Sequence, residues 1–138
     1  MQDLLNNLEV GLKQVIDAGA LGIDVFVGQD DGEQTRPNVT IYAQQGEERP
    51  VGSGNFLTTV MVSVRSNAND TTQAQHRQRC NQVFDLVMVD DLETSLSSVS
   101  NLHVFTPIVN RQASHGREDD CWLSELRFDA YCCLTDLA

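Results

Sequence analysis

The residues of this chain that could do chemistry are few and scattered. Its histidines are His76, His103 and His115, and its cysteines are Cys80, Cys121, Cys132 and Cys133. A thiol beside an imidazole can become a nucleophile. Spacing allows His103 to pair with Cys121 or Cys133, but no local motif joins them. No C-x-x-C is present, and no histidine lies at zinc-ligand spacing from a cysteine, so no metal site is expected. Adjacent Cys132 and Cys133 on a strand would point to opposite faces and could not share a site. The thiols are therefore expected to be reduced and mostly buried. Carboxylates are plentiful, but a glycosidase-type pair needs a cleft, and nothing in the pattern indicates one. Gly52-Ser53-Gly54 falls between two expected strands rather than at a helix start, so it is not a phosphate loop. Trp122 reads as a core anchor or interface residue. No catalytic residue and no cofactor is expected.

Composition narrows the options further. The chain has 138 residues, enough for one domain with a real core. Its 20 acidic and nine basic residues give a formal net charge of −11. Tight binding to a phosphate backbone favours basic surfaces, so that function is not expected. The acids cluster at Asp24, Asp30, Asp31 and Glu33, at Glu47 and Glu48, at Asp85, Asp90, Asp91 and Glu93, and at Glu118, Asp119 and Asp120. They read as a solvated acidic surface, or as an acidic face that lets DNA slide past without sticking. The bases are almost all arginine, which suits planar contacts at interfaces. The apolar runs are too short to span a membrane. The N-terminal stretch lacks the basic and apolar regions of a signal peptide, so a cytosolic origin is expected. The sequons Asn38-Val-Thr40 and Asn69-Asp-Thr71 then read as chance.

These residues must be carried by a scaffold. Leu4, Leu5, Leu8, Leu12, Val15 and Ile16 form the apolar stripe of a helix over residues 3–18, which Gly19 can end. Ile23 to Val27 is a short extended segment leading to an acidic turn. Strands follow at Asn38 to Ala43 and at Phe56 to Arg65. Cys80, Val83, Phe84, Val87 and Met88 then mark one face of a second helix, with Asp70 or Thr71 as its cap. Asp90 and Asp91 would oppose its dipole. A polar connector over Glu93 to Ser100, with room for one extra helical turn, precedes strands at Asn101 to Val109 and Cys121 to Leu134. In the last strand Trp122, Leu126, Phe128, Ala130, Cys132 and Leu134 face one way. The expectation is one α+β domain over residues 1–138. Its order is α-β-β-α-β-β, with a mixed or antiparallel sheet of about four strands and both helices on one face. Long loops are expected at 44–54 and 110–120.

The ordered parts are a short N-terminal helix, NVTIYA, a long loop, FLTTVMVSVRSN, the helix TTQAQHRQRCNQVFDLVMVDDL, and two final strands ending in ELRFDAYCCL. In element order and texture the chain resembles the tail terminator (tail completion) proteins of long-tailed bacteriophages. The resemblance covers most of the chain but rests on no strict motif. It implies a virion protein made in the bacterial host cytoplasm. It further implies a homohexameric ring at the head-proximal end of the tail tube. Its partners would be other copies of itself, the major tail tube protein and the head–tail connector or neck protein, with DNA passing through unbound. No catalytic residues carry over.

Loop position alone suggests Arg36, Glu47, Glu48, Arg49, Arg111, His115, Arg117, Glu118, Asp119 and Asp120 as interface residues. Two other readings remain at this point. One is a head-closure, neck or tail-tube protein of the same virion. The other is a small cytosolic α+β enzyme or ligand-binding domain with a reactive Cys121 or Cys133.

Overall fold

The computed structural model describes residues 4–28, 37–48, 50–88, 92, 96, 102–105, 108–118 and 120–134. Two helices and six strands are formed there: α1 (Leu4–Ala18), β1 (Asp24–Val27), β2 (Asn38–Glu48), β3 (Phe56–Asn67), α2 (Gln73–Val87), β4 (Leu102–Val104), β5 (Val109–Glu118) and β6 (Cys121–Leu134). All six strands join one sheet, in the order β1-β2-β3-β6-β4, with β5 also pairing with β6. The α+β class holds, but the expected four strands become six.

β1 pairs in parallel with β2, and the other pairings are antiparallel. The sheet is therefore mixed because of β1, a segment too short to be counted as a strand from sequence. β3 takes one edge of β6 along its length, from Phe56 opposite Cys132 to Asn67 opposite Cys121. On the other edge β4 pairs at Leu134 to Cys132, and β5 pairs from Asp129 to Cys121. β4 and β5 thus occupy one lane along β6, and past β4 the Phe105 amide still donates to the Tyr131 carbonyl at 2.8 Å.

The core lies between the helices and one face of this sheet. Alternation puts Val60, Val62 and Val64 of β3 on that face, with Leu126, Phe128, Ala130 and Cys132 of β6 and Val39, Ile41 and Ala43 of β2, all buried. Leu4, Leu8, Leu12 and Ile16 of α1 meet them, as do Cys80, Val83, Phe84 and Val87 of α2. Leu92, just before the Glu93–Ser100 connector, and Leu96 within it are helical, as the extra turn expected there requires, and both are buried in the same core. Past the end of β1, the edge of β2 needs another partner, and Glu9 of α1 supplies it by accepting from the Ala43 amide at 2.8 Å.

Several local expectations change. α1 ends at Ala18, and the left-handed residue after it is Ala20 (φ 51°), not Gly19. The expected 44–54 loop is shortened at its start: the described residues 50–54 lie outside any strand, while β2 continues to Glu48, with a register shift between Gln45 and Glu48. There the backbone closes so tightly that a side chain on Gly46 would sit 2.5 Å from the Leu57 carbonyl oxygen. Among the described residues, 50–55 connect β2 to β3. The 110–120 loop is likewise β5, hydrogen-bonded to β6 along most of its length. Asp90 and Asp91, and the acidic turn after Gly28, lie outside the described residues.

Candidate functional site

α2 starts on a reciprocal cap. The Gln75 amide donates to the Thr72 hydroxyl at 3.2 Å, and the Thr72 amide donates to the Gln75 side chain at 2.9 Å. Two orphan donors of the first turn are satisfied together. The cap is Thr72, not Asp70 or Thr71. Starting the helix there places His76 on the same face as Cys80, Val83, Phe84 and Val87, over the sheet.

His76 is only 3% exposed and bridges two adjacent strands. Its Nδ1 lies 2.8 Å from the Ser66 hydroxyl of β3, and its Nε2 lies 2.9 Å from the Ser124 hydroxyl of β6. Arg79 donates to Ser66 from one side. On the other side His115 of β5 places its Nδ1 2.7 Å from Ser124. The thiol of Cys80, one helical turn on, is 3.3 Å from the Nε2 of His76. Burial first, then the charges of Arg79 and His115, lowers the His76 pKa from 6.5 to about 4. At neutral pH the ring is uncharged, and each serine hydroxyl can accept from one neighbour while donating to another.

Serine, histidine and cysteine together could suggest a nucleophile and its base. Their setting does not fit that chemistry. Ser66, Ser124 and Cys80 have no exposed surface, and burial pushes the Cys80 thiol pKa up rather than down. A nucleophile must reach its substrate. The arrangement instead clasps the start of α2 to β3, β6 and β5.

Beside the clasp opens a cavity of about 290 Å³ between the first turns of α2 and the β5–β6 hairpin. Gln73, Arg77, His115, Arg117 and Trp122 line it, with His76 at its base. Trp122 donates its indole N–H to the Thr71 carbonyl at 2.8 Å, which ties β6 to the approach of α2. The Arg117 guanidinium lies 5.0 Å from the centre of the Trp122 ring, within cation–π range. The cavity is cationic and aromatic in a strongly acidic chain.

No family model matches the chain, and no curated protein matches it. Among solved structures, the fold is similar to a chain in the virion of a native gene transfer agent particle. The TM-score is 0.66 at 16% identity, over 91% of this chain and 94% of that one. The likeness therefore spans both chains almost end to end, and it is a likeness of fold.

The residues singled out from loop position fall into separate groups. Arg111, His115, Arg117 and Glu118 line up along β5, and Asp120 sits in the turn to β6; all are exposed. Glu47 and Glu48 lie near the far end of β2. Glu48 is already engaged, accepting from the Gly52 and Gly54 amides at 2.7 and 2.9 Å, and those bonds hold its pKa below the usual carboxylate value. Its carboxylate closes its own turn. Arg36, Arg49 and Asp119 lie outside the described residues. The fold thus brings His115 and Arg117 to the cavity and leaves Glu47 and Glu48 elsewhere.

The thiol–imidazole expectation resolves in part. His103 is the cross-strand partner of Cys133, which is half-buried, whereas Cys121 is buried at the opposite end of β6. Among the described residues no group of three or more His, Cys, Asp or Glu could hold a metal ion. No described helix is long and apolar enough to cross a membrane. Asn38 of the first sequon is 1% exposed, so that asparagine is no glycan acceptor in the folded chain.

Proposed function

We propose that this chain is a structural protein of a phage-like virion, and within that class a tail terminator. The observation that supports this most is the fold likeness to a gene transfer agent virion chain over nearly the whole of both chains. In this reading copies of the chain close into a homohexameric ring on the head-proximal end of the tail tube. The ring stops tube growth and presents its other face to the head–tail connector or neck protein. A closed ring needs two different surfaces on each copy that fit each other. The two edges of the sheet, β1 on one side and β5 on the other, are the pair assigned to that role in this reading. The net charge of −11 suits a channel through which DNA slides without adhering. Of the residues named from loop position, Arg111, His115, Arg117, Glu118 and Asp120 lie on the β5 side of this contact and Glu47 at the β2–β3 end, while Arg36, Arg49 and Asp119 remain part of the proposal. The chain is read as a non-enzyme.

The test is particle assembly without the chain. Electron microscopy should then show tail tubes of uncontrolled length and unjoined heads, and adding the purified protein should restore normal tails. Normal, joined particles in its absence would overturn the reading. A tube subunit, the neighbouring alternative, would polymerise by itself into long tubes rather than form one closed ring.

A further inference from the structure

Copies of a chain with net charge −11 repel one another unless their contact brings opposite charges together locally. The described residues supply such a contact at opposite sheet edges. On the β5 edge is the cavity lined by Arg77, His115, Arg117 and Trp122. Three of the nine basic residues (Arg77, Arg79 and Arg117) and two of the three histidines (His76 and His115) gather at or beside it. It also faces the first turn of α2, whose dipole favours an anion. On the β1 edge, between the end of α1 and β1, is a hollow of about 410 Å³ whose charged lining residues are Asp17 and Asp24. Both are exposed, and Asp17 also takes Lys13 at 2.6 Å.

We propose that the Arg77–Arg117 cavity is a carboxylate-binding site, filled by Asp24 and the neighbouring Asp17 of a second copy of this chain. The β5 edge of each copy then docks on the β1 edge of the next. Two guanidinium groups offer planar, paired donors to a carboxylate. Trp122 shields one side of the site, which weakens the competition from water. The contact is heterologous, the kind that builds a ring when its rotation closes. This inference rests on the proposed ring, and it names the charges that close it.

The experiment is sedimentation and electron microscopy of the full chain at low and high salt, alone and on tail tubes. Five samples are compared: the natural sequence, R77E, R77E/R117E, D17K/D24K, and an equal mixture of the two double variants. R77E alone, a change at one exposed helix position, covers any misfolding of the double variant. Self-association of the natural chain is expected to weaken as salt rises. Each variant alone should associate about tenfold or more weakly. The mixture should associate again, because both the natural and the reversed charge pairs are then available. Loss in each variant without recovery in the mixture overturns the pairing. Undiminished rings of R77E and R77E/R117E overturn the site while leaving the ring reading intact. A natural chain that self-associates neither alone nor on tubes overturns both. Duplex DNA binding that R77E/R117E abolishes while rings persist assigns the cavity to phosphate and overturns the carboxylate.

Discussion

Acidification should loosen the fold through His76. The ring is 3% exposed, lies between Ser66 of β3 and Ser124 of β6, and is flanked by Arg79 of α2 and His115 of β5. Its folded pKa is about 4, against the ordinary 6.5 of a free imidazole. The folded chain therefore binds this proton less readily than the unfolded chain does. The stability associated with the neutral ring is fully present above pH 6.5 and is lost as pH falls towards 4. Linkage over that difference gives a loss of about 2 kcal/mol at pH 5 and about 3 kcal/mol below pH 4. The assay is urea unfolding at pH 7.5 and pH 5, for the natural chain and for His76→Gln, which cannot titrate. The variant is expected to be less stable at pH 7.5 but to show a pH dependence smaller by about 2 kcal/mol. Contributions from groups remote from His76 are common to both proteins and cancel in the comparison. Parallel pH profiles for the two proteins would refute the claim that a buried neutral imidazole clasps α2 to the sheet.

The remaining predictions concern the same elements. Thr72→Ala should cost about 1 kcal/mol in urea unfolding through loss of the reciprocal cap, and Thr72→Ser should recover most of it. Gly46→Ala places a methyl against the Leu57 carbonyl and should destabilise by about 1–3 kcal/mol. Gly116→Ala, where an added carbon meets nothing within 4 Å, should stay within about 0.5 kcal/mol by the same measurement. A thiol reagent followed by mass spectrometry should label half-buried Cys133 in the native chain, while Cys80 and Cys132, buried and with raised pKa values, react only on unfolding.

The helices were legible because their burial follows their spacing. Leu4, Leu8, Leu12 and Ile16 repeat at four, and Cys80, Val83, Phe84 and Val87 repeat at three and four, as a buried helix face must. β3 and the middle of β6 were legible for the matching reason, since alternate residues meet the helices. β5 was not. It is an outer strand whose side chains from Arg111 to Glu118 are all exposed, so no apolar alternation marks it. Its register comes from backbone bonds to β6, and such bonds leave no trace in side-chain type. The end of β2 was lost in the same way.

At the candidate site, part of the signal was present but unused. His76 stands four residues before Cys80 and seven before Val83, which places it on the buried face of α2. Thr72 and Gln75 carry the spacing of a capping box. The joining of Ser66, Ser124, His115 and Arg117 around that histidine depends on the pairing of β3, β6 and β5, which no local pattern reveals.

In the proposed role this chain closes rings at the end of a phage-type tail. Electron microscopy of the protein bound to purified tail tubes, with mass measurement of the bound species, tests it most directly. Six copies are expected in a single closed ring at one end of each tube, with no further growth beyond it. Binding along the tube wall, open filaments or monomers at the tube end would contradict it.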